Sequence, residues 1–463
     1  MSDDAPAHTS ETSRTEDRRL EASAPGVHGP RDPVTSATAE RLVNDEVGHV
    51  FRNPARERVA IERAGGRILA DEVVADRDGP PFNRATMDGI ALASHAVESG
   101  IHRFRSLGVL PAGDDPRRFA NPGSLDRCVE IATGASVPDG FDAVVRYEEL
   151  TRDERNGEVY FELAAPAGAT PAIAPATNIH RRGEDYRHGD RLLSPGSRIA
   201  STHVSVLATC GVRSVEVVRT PSVAVLSTGS ELVDIDAEPL DHQIRESNRW
   251  TLAAELAGWG FSPSCHDRVV DDAGEITGRI STLLEHNGVL VLSGAVSRGV
   301  NDSIPAILQR LGVKIRFHGV TQRPGKPFLF GATRHAVVFG LPGNPVSSLV
   351  TLRRYLIPAL MQLGFGPRPA GARDSAGLLA GGVDAVLDEE IQFSHALTYF
   401  PAVRPVSDTT AAPAGALRVR AVASHGSGDF LQLAGSIGFV EMPPDRDSLP
   451  AGSPVRLFPW AAR

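Results

Sequence analysis

Between residues 221 and 363, short unbroken apolar runs alternate with stretches whose apolar positions recur every three or four residues. The runs at 223–226, 289–292 and 336–339 predict buried strands. Leu252, Leu256 and Trp259 predict a helix over 251–259, and 304–311 and 346–360 carry the same period. Strands followed by helices in this order predict βα units in a parallel sheet. Upstream, Leu42, Val43, Val47, Val50 and Phe51 predict a helix, and Val59, Ile61, Ile68 and Leu69 a strand. Short Val/Ile-rich runs broken by Pro and Gly predict a mostly β domain over 80–165. A helix is expected at 202–210, closed by Gly211, and a Gly/Ala/Pro-rich linker at 364–380. Beyond it, the runs at 417–422, 430–433 and 455–458 predict a small β domain. The first 35 residues are polar and predict a disordered tail.

Composition narrows the classes. With 463 residues and 41% hydrophobic content the chain can bury several cores. A net charge of −9 and the lack of a long basic block argue against nucleic acid as a partner. No run is long enough to span a membrane, and the polar start lacks the apolar segment of a secretory signal. Cys128, Cys210 and Cys265 are widely spaced, which argues against a disulfide framework and fits a reducing cytoplasm.

Candidate chemistry sits in the loops that leave the predicted strands. Ser293–Gly299 with Asp302, Arg323–Pro327 and Leu341–Pro345 combine glycines with hydroxyls (Ser293, Ser297) and a point charge (Lys326). Strand-end loops of open α/β sheets line the ligand crevice. These loops therefore suit a phosphate-bearing or oxyanion ligand, with Asp302 beside it for a metal. Glu231 follows the strand at 223–226, and Asp271 and Asp272 follow Val269 and Val270 at another strand-like end. Glu246 precedes a helix and reads as an N-terminal cap. Taken singly, Asp88 and Thr133 read as turn residues and 181–185 as a solvated loop.

In their order and spacing these landmarks resemble the molybdopterin molybdenumtransferase family, which includes the C-terminal enzymatic domain of gephyrin. The matching stretches are PFNRATMDG (81–89), ATGASVP (132–138), RRGED (181–185), LSTGSEL (226–232), ESNR (246–249), SGAVSRGVND (293–302), RPGKP (323–327) and LPGNP (341–345), with GSGDF (426–430) a looser addition. The resemblance and the pattern together imply a multidomain α/β plus β protein. Its expected parts are a three-layer α/β molybdopterin-binding domain at 219–366, a mostly β domain at 80–165, an extended α/β linking domain at 36–79 and 166–218, and a small β domain at 380–463.

The resemblance further implies a homodimer in which the α/β domain of one subunit meets the Asp88-bearing domain of the other. The implied reaction takes adenylylated molybdopterin and molybdate, with Mg2+, and yields molybdenum cofactor and AMP. Glu231 and Asp302 would then hold magnesium, with Asp271 joining them. Arg323 and Lys326 would neutralise the phosphate. Asp88, Thr133, Arg182 and Asp185 would act from the facing subunit. Ser293, Gly294, Ser297, Gly299, Gly325, Pro342, Gly343, Asn344 and Pro345 would form the ligand loops. Implied partner proteins are a molybdopterin adenylyltransferase and molybdoenzyme chaperones. The chain departs from the family pattern at Ala295, Gly319 and Arg323. The main other readings are a molybdopterin adenylyltransferase and a non-catalytic molybdopterin-binding scaffold, with a nicotinamide-nucleotide amidase relative sharing the α/β domain as a third. The first needs only the α/β domain, and the second has no need of the carboxylates at 88, 231, 271 and 302.

Overall fold

The structure, a computed structural model, describes residues 32–120, 122–164, 172–294, 303–363, 381–393, 396–406, 417–423, 426 and 428–460. Packing divides the chain into two units. One comprises Met1–Pro54, Thr220–Leu363 and Arg368–Arg463, and the other chiefly Ala55–Arg219.

In the first unit, helix α1 (Ser36–Val50) opens on Thr35, whose side chain accepts from the Thr38 N–H. Val34 pairs with Val320, taking the Thr321 N–H at 2.8 Å. Val34 and Thr35, read with the disordered tail, thus belong to the fold; residues 1–31 lie outside the described ones. The strands are β1 (Val223–Thr228), β2 (Cys265–Val269), β3 (Val289–Ser293), β4 (Lys314–His318), β5 (Leu329–Ala332) and β6 (Val337–Leu341). They form one sheet in the order β2-β1-β3-β6-β5-β4. The first four in that order are parallel, while β5 and β4 add an antiparallel edge. The sequence pattern predicted the parallel βα units but not this antiparallel edge. The edge escaped because β4 alternates polar and apolar residues, as a half-exposed strand does.

Strand side chains alternate between the two faces. Val223, Val225, Val289, Val291 and Phe339 meet Ala39, Val43 and Val47 of α1 and Leu252 and Leu256 of α2 (Asn248–Gly258). Ala224, Leu226, Leu290 and Leu292 meet α3 (Ala273–His286) and α4 (Ile304–Arg310). The α1 face, apolar at every fourth position, therefore packs on this sheet, whereas the sequence assigned it to the linking domain. The helical stretch after β6 runs Pro345–Thr351, widens to a π-turn at Leu352–Leu356 and resumes at Ile357–Met361. Pro358 cannot donate to the Arg354 carbonyl, so the widening falls where the α pattern is already broken.

The same unit ends in a closed barrel of Val383–Leu387, Arg418–Ala421, Ala402–Pro405, Gly438–Val440 and Pro454–Pro459, filled by Leu387, Val403, Val419, Val440 and Leu457. The apolar run at 430–433 is not one of its strands. It forms a helical turn, Leu431–Ala434, because so short a run carries no period that separates helix from strand.

The second unit holds a six-stranded sheet in the order Ala143–Arg146, Gly89–Leu92, Arg127–Ile131, Arg103–Leu110, Glu158–Leu163, Leu150–Arg155. A separate core joins the antiparallel pair Arg56–Ala60/Ser214–Val218 to the helix Ser201–Thr209, through Val59, Leu207, Val215 and Val217. That helix ends at Cys210 and Gly211, and Gly211 adopts φ 69°.

Candidate functional site

Parallel strands release their loops at one edge, and in the first unit those loops surround a cavity of about 1180 Å³. Thr228, Gly229 and Glu231 come from the end of β1, Asp271 follows β2, Ser293 and Gly294 end β3, and 342–345 follow β6. Asn248, at the start of α2, lines the same space. Sequence reasoning placed Glu231, Asp271, Ser293, Gly294, Pro342, Gly343, Asn344 and Pro345 at a ligand site, and the structure brings these together. Ser297, Gly299 and Asp302 lie outside the described residues.

The loops are fastened by a residue that sequence reasoning passed over. The Asn248 amide donates to Ser293 Oγ at 2.8 Å and to the Gly343 carbonyl at 2.6 Å. Ser293 is buried, and its hydroxyl also faces the Pro342 carbonyl at 3.5 Å. That hydroxyl, expected to serve a ligand, ties two loops together instead. Gly294 has φ 91°, and a Cβ there would run into the Thr228 carbonyl oxygen, so only glycine fits. Asn248 Oδ1 and Thr228 Oγ1 are buried and have no hydrogen-bond partner among the described residues. Their positions in the 246–249 and 226–232 stretches could have flagged both. Glu246 behaves as a cap. Its Oε1 accepts from the Arg249 N–H at 2.7 Å and from Ser227 Oγ at 2.8 Å, and Oε2 faces Arg249 Nε at 3.1 Å.

Besides the capping Glu246, two carboxylates among the described residues line the cavity, Glu231 and Asp271. Asp271 takes the Ser230 N–H on one oxygen at 3.3 Å, and Glu231 is exposed. Asp272 instead caps α3 through the Glu275 N–H at 2.8 Å. No group of three or more His, Cys, Asp or Glu able to hold a metal occurs among the described residues. Magnesium usually takes one or two carboxylates and completes its shell with water and substrate phosphate. Glu231 and Asp271 fit that donor set.

The 323–327 loop is organised from elsewhere. Gln322–Arg323 pairs with Thr398–Tyr399, and the Arg323 guanidinium lies 5.9 Å over the Phe393 ring, itself stacked 4.1 Å from Tyr399. Gly325 adopts φ 96°, and the Gln322 amide donates to the Pro324 carbonyl at 3.1 Å. Pro327 reaches the cavity wall; Arg323 and Lys326 are exposed and do not line it.

In the second unit, Asp88 Oδ1 accepts the Thr133 N–H at 2.7 Å, which joins two expected site residues. Gly89 is held by space, since a Cβ would meet the Val145 carbonyl. Arg182 Nε donates to Asp78 at 2.7 Å. The His188 N–H and then the Arg182 guanidinium hold the Asp78 carboxyl below its usual range. Asp185 Oδ1 lies 3.0 Å from His180 Nε2.

Comparison with known proteins gives the chain's relatives. Residues 34–211 match the MoeA N-terminal region (domain I and II), and 224–362 match a probable molybdopterin binding domain. A molybdopterin molybdenumtransferase of Synechocystis is 32% identical, over 86% of this chain and 94% of its own length. Gephyrin of Dictyostelium discoideum is 30% identical over 74% of this chain and 51% of its own length. A solved molybdopterin biosynthesis MoeA protein from Pyrococcus horikosii is 27% identical and superposes with a TM-score of 0.71, covering 92% of this chain and 99% of that one.

Proposed function

Since the chain belongs to the molybdopterin molybdenumtransferase family, transferases of molybdenum-cofactor biosynthesis, we propose that it inserts molybdenum from molybdate into adenylylated molybdopterin and releases AMP. The observation that carries this reading is the cavity at the strand ends, where Glu231 and Asp271 stand beside glycine-rich loops fastened by Asn248. Bound magnesium would neutralise charge on the adenylyl phosphate. Glu231 and Asp271 would hold it, joined by Asp302. The backbone around Gly294 and Gly343 lets a phosphate or pterin approach closely. Thr228 Oγ1 and Asn248 Oδ1, in residues that line the cavity, are buried polar atoms with no partner among the described residues. Lys326 and Arg323 would supply charge to the departing phosphate, and Asp88, Thr133, Arg182 and Asp185 would handle molybdate.

Incubating the protein with adenylylated molybdopterin, Mg2+ and molybdate should release AMP and form cofactor together. Release of neither product would overturn the reading. Asn248→Ala is expected to raise KM for the adenylylated substrate roughly tenfold, because Ser293 and Gly343 lose a shared donor. An unchanged KM would remove that clamp from substrate binding.

We further propose a homodimer in which the Asp88 unit of one copy completes the site of the other. An inactive Asp88→Asn protein mixed with an inactive Asp302→Ala protein should regain part of the activity, since a mixed dimer contains one intact site. No recovery after subunit exchange would count against the shared site. The three cysteines are unbonded, as suits the reducing cytoplasm in which we place the reaction. No helix among the described residues is long and apolar enough to cross a membrane. A molybdopterin adenylyltransferase and molybdoenzyme chaperones are the proteins expected to deliver the substrate and collect the product.

A further inference from the structure

Two of the landmark stretches, 81–89 and 132–138, meet the Ile179–His180 strand that leads into a third, 181–185, as one small ribbon in the second unit. Arg84 lies directly opposite His180 in an antiparallel register, and opposite Ser136 on its other side. Residues directly opposed across such strands project from the same face. Their neighbours Ala85, Ala135 and Ile179 turn the other way, into the core with Ile131 and Val144. Ser136, Arg84 and His180 therefore stand in a row on the outward face.

Hydrogen bonding sets the chemistry of that row. His180 Nδ1 is 3.1 Å from Arg84 Nη2, and its Nε2 is 3.0 Å from Asp185 Oδ1. A guanidinium only donates, so Nδ1 must accept and the ring proton sits on Nε2, donated to Asp185. Glu184 lies farther off, 3.9 Å from the same nitrogen. Asp185 thus fixes the tautomer, and the neutral ring aims the guanidinium. Arg182 and Arg103 each face a carboxylate, at 2.7 and 2.9 Å. Arg84 has none within ion-pair reach among the described residues, although it is half-buried. Beside it, the Ser136 hydroxyl makes no hydrogen bond to a described residue.

A fixed cation without a counter-charge, next to a free hydroxyl, is a donor set for a small anion. We propose that Arg84 and Ser136 form a subsite for a tetrahedral oxyanion, molybdate or phosphate, with His180 as the residue that positions Arg84. As a place for the molybdate of the proposed reaction it rests on that reading. As an oxyanion subsite it rests on the ribbon alone, so a titration without turnover separates the two.

The full chain labelled with ¹⁵N-histidine is titrated with molybdate and, separately, with inorganic phosphate. The His180 resonances, identified by their loss in His180→Gln, should report an unprotonated Nδ1 and a protonated Nε2. At least one anion should shift them saturably, and the anion that does so names the ligand. Arg84→Ala should abolish the shift. His180→Gln should weaken binding of that anion roughly tenfold by calorimetry, the size expected when one charge-assisted contact is misaligned. Arg84→Lys, which keeps the charge but not the fork, should restore only part of the affinity. A proton found on Nδ1, or no shift with either anion, or an Arg84→Ala protein that responds like the parent, overturns the subsite.

Discussion

Glu231→Gln is expected to lower turnover about a thousandfold at fixed Mg2+ while the protein stays folded. The side chain is exposed, directly after β1, and its carboxylate lies against Gly229, where a Cβ would stand 2.8 Å from Oε2. It makes no side-chain hydrogen bond or ion pair with a described residue, so its replacement removes no structural contact. Losing a ligand of a divalent cation removes charge stabilisation of about 4 kcal/mol, which is that thousandfold. Asp271→Asn should cost less, because one of its oxygens is already engaged by the Ser230 N–H. AMP release measured across a Mg2+ titration checks the effect, with thermal unfolding as the control for folding. Turnover within about threefold of the parent enzyme at every Mg2+ level would remove Glu231 from the site.

The largest stability effect is expected at Arg353. This side chain is 0% exposed, with its guanidinium 4.5 Å over Trp259 and 5.7 Å over Phe458. Its Nε donates to the Pro459 carbonyl at 2.6 Å. Burial pulls its pKa down to about 9, with Glu255 acting against that pull, so the group is still charged at neutral pH. Next to it, Arg354 reaches Glu40 of α1 at 2.8 Å and Glu441 beside the barrel at 3.0 Å. The π-turn at 352–356 thus pins helix, sheet and barrel together. Arg353→Ala would leave a cavity and a buried Glu255 short of its counter-charge, a loss of roughly 3–5 kcal/mol. In a unit of this size that lowers the thermal midpoint by about 10 °C. Arg353→Lys should recover little, because an ammonium cannot stack on two rings or reproduce the planar fork. A midpoint shift of under about 2 °C for Arg353→Ala would show that the buried charge contributes nothing net.

Much of this was legible from the chain. Strands β1, β3 and β6 show as apolar runs because both of their faces are covered, and burial on two sides leaves no room for alternation. Helix α2 and the helix at 201–209 show through spacing and a closing glycine. The loops at 229–231, 293–294 and 342–345 were placed correctly at one cavity, since parallel strands in sequence order must release their ends at the same edge. The cap role of Glu246 followed from its place before a helix.

Tertiary structure decided the rest, wherever a residue's role depends on a partner far away along the chain. The apolar face of α1 was plain, but its target, a sheet beginning at Val223, was not. Ser293 has the look of a ligand hydroxyl until Asn248 takes it. Arg323 reads as a cation for the anion site, yet pairing with Thr398–Tyr399 sets its loop and Phe393 lies beneath its guanidinium. Arg84, Ser136 and His180 share a face only because of strand register, which a one-residue slip would reverse. Hydrophobic period reports what each segment buries within a few residues of itself. Register, buried charge pairs and shared donors are set by the closing of long loops, and those leave no periodic trace in the sequence.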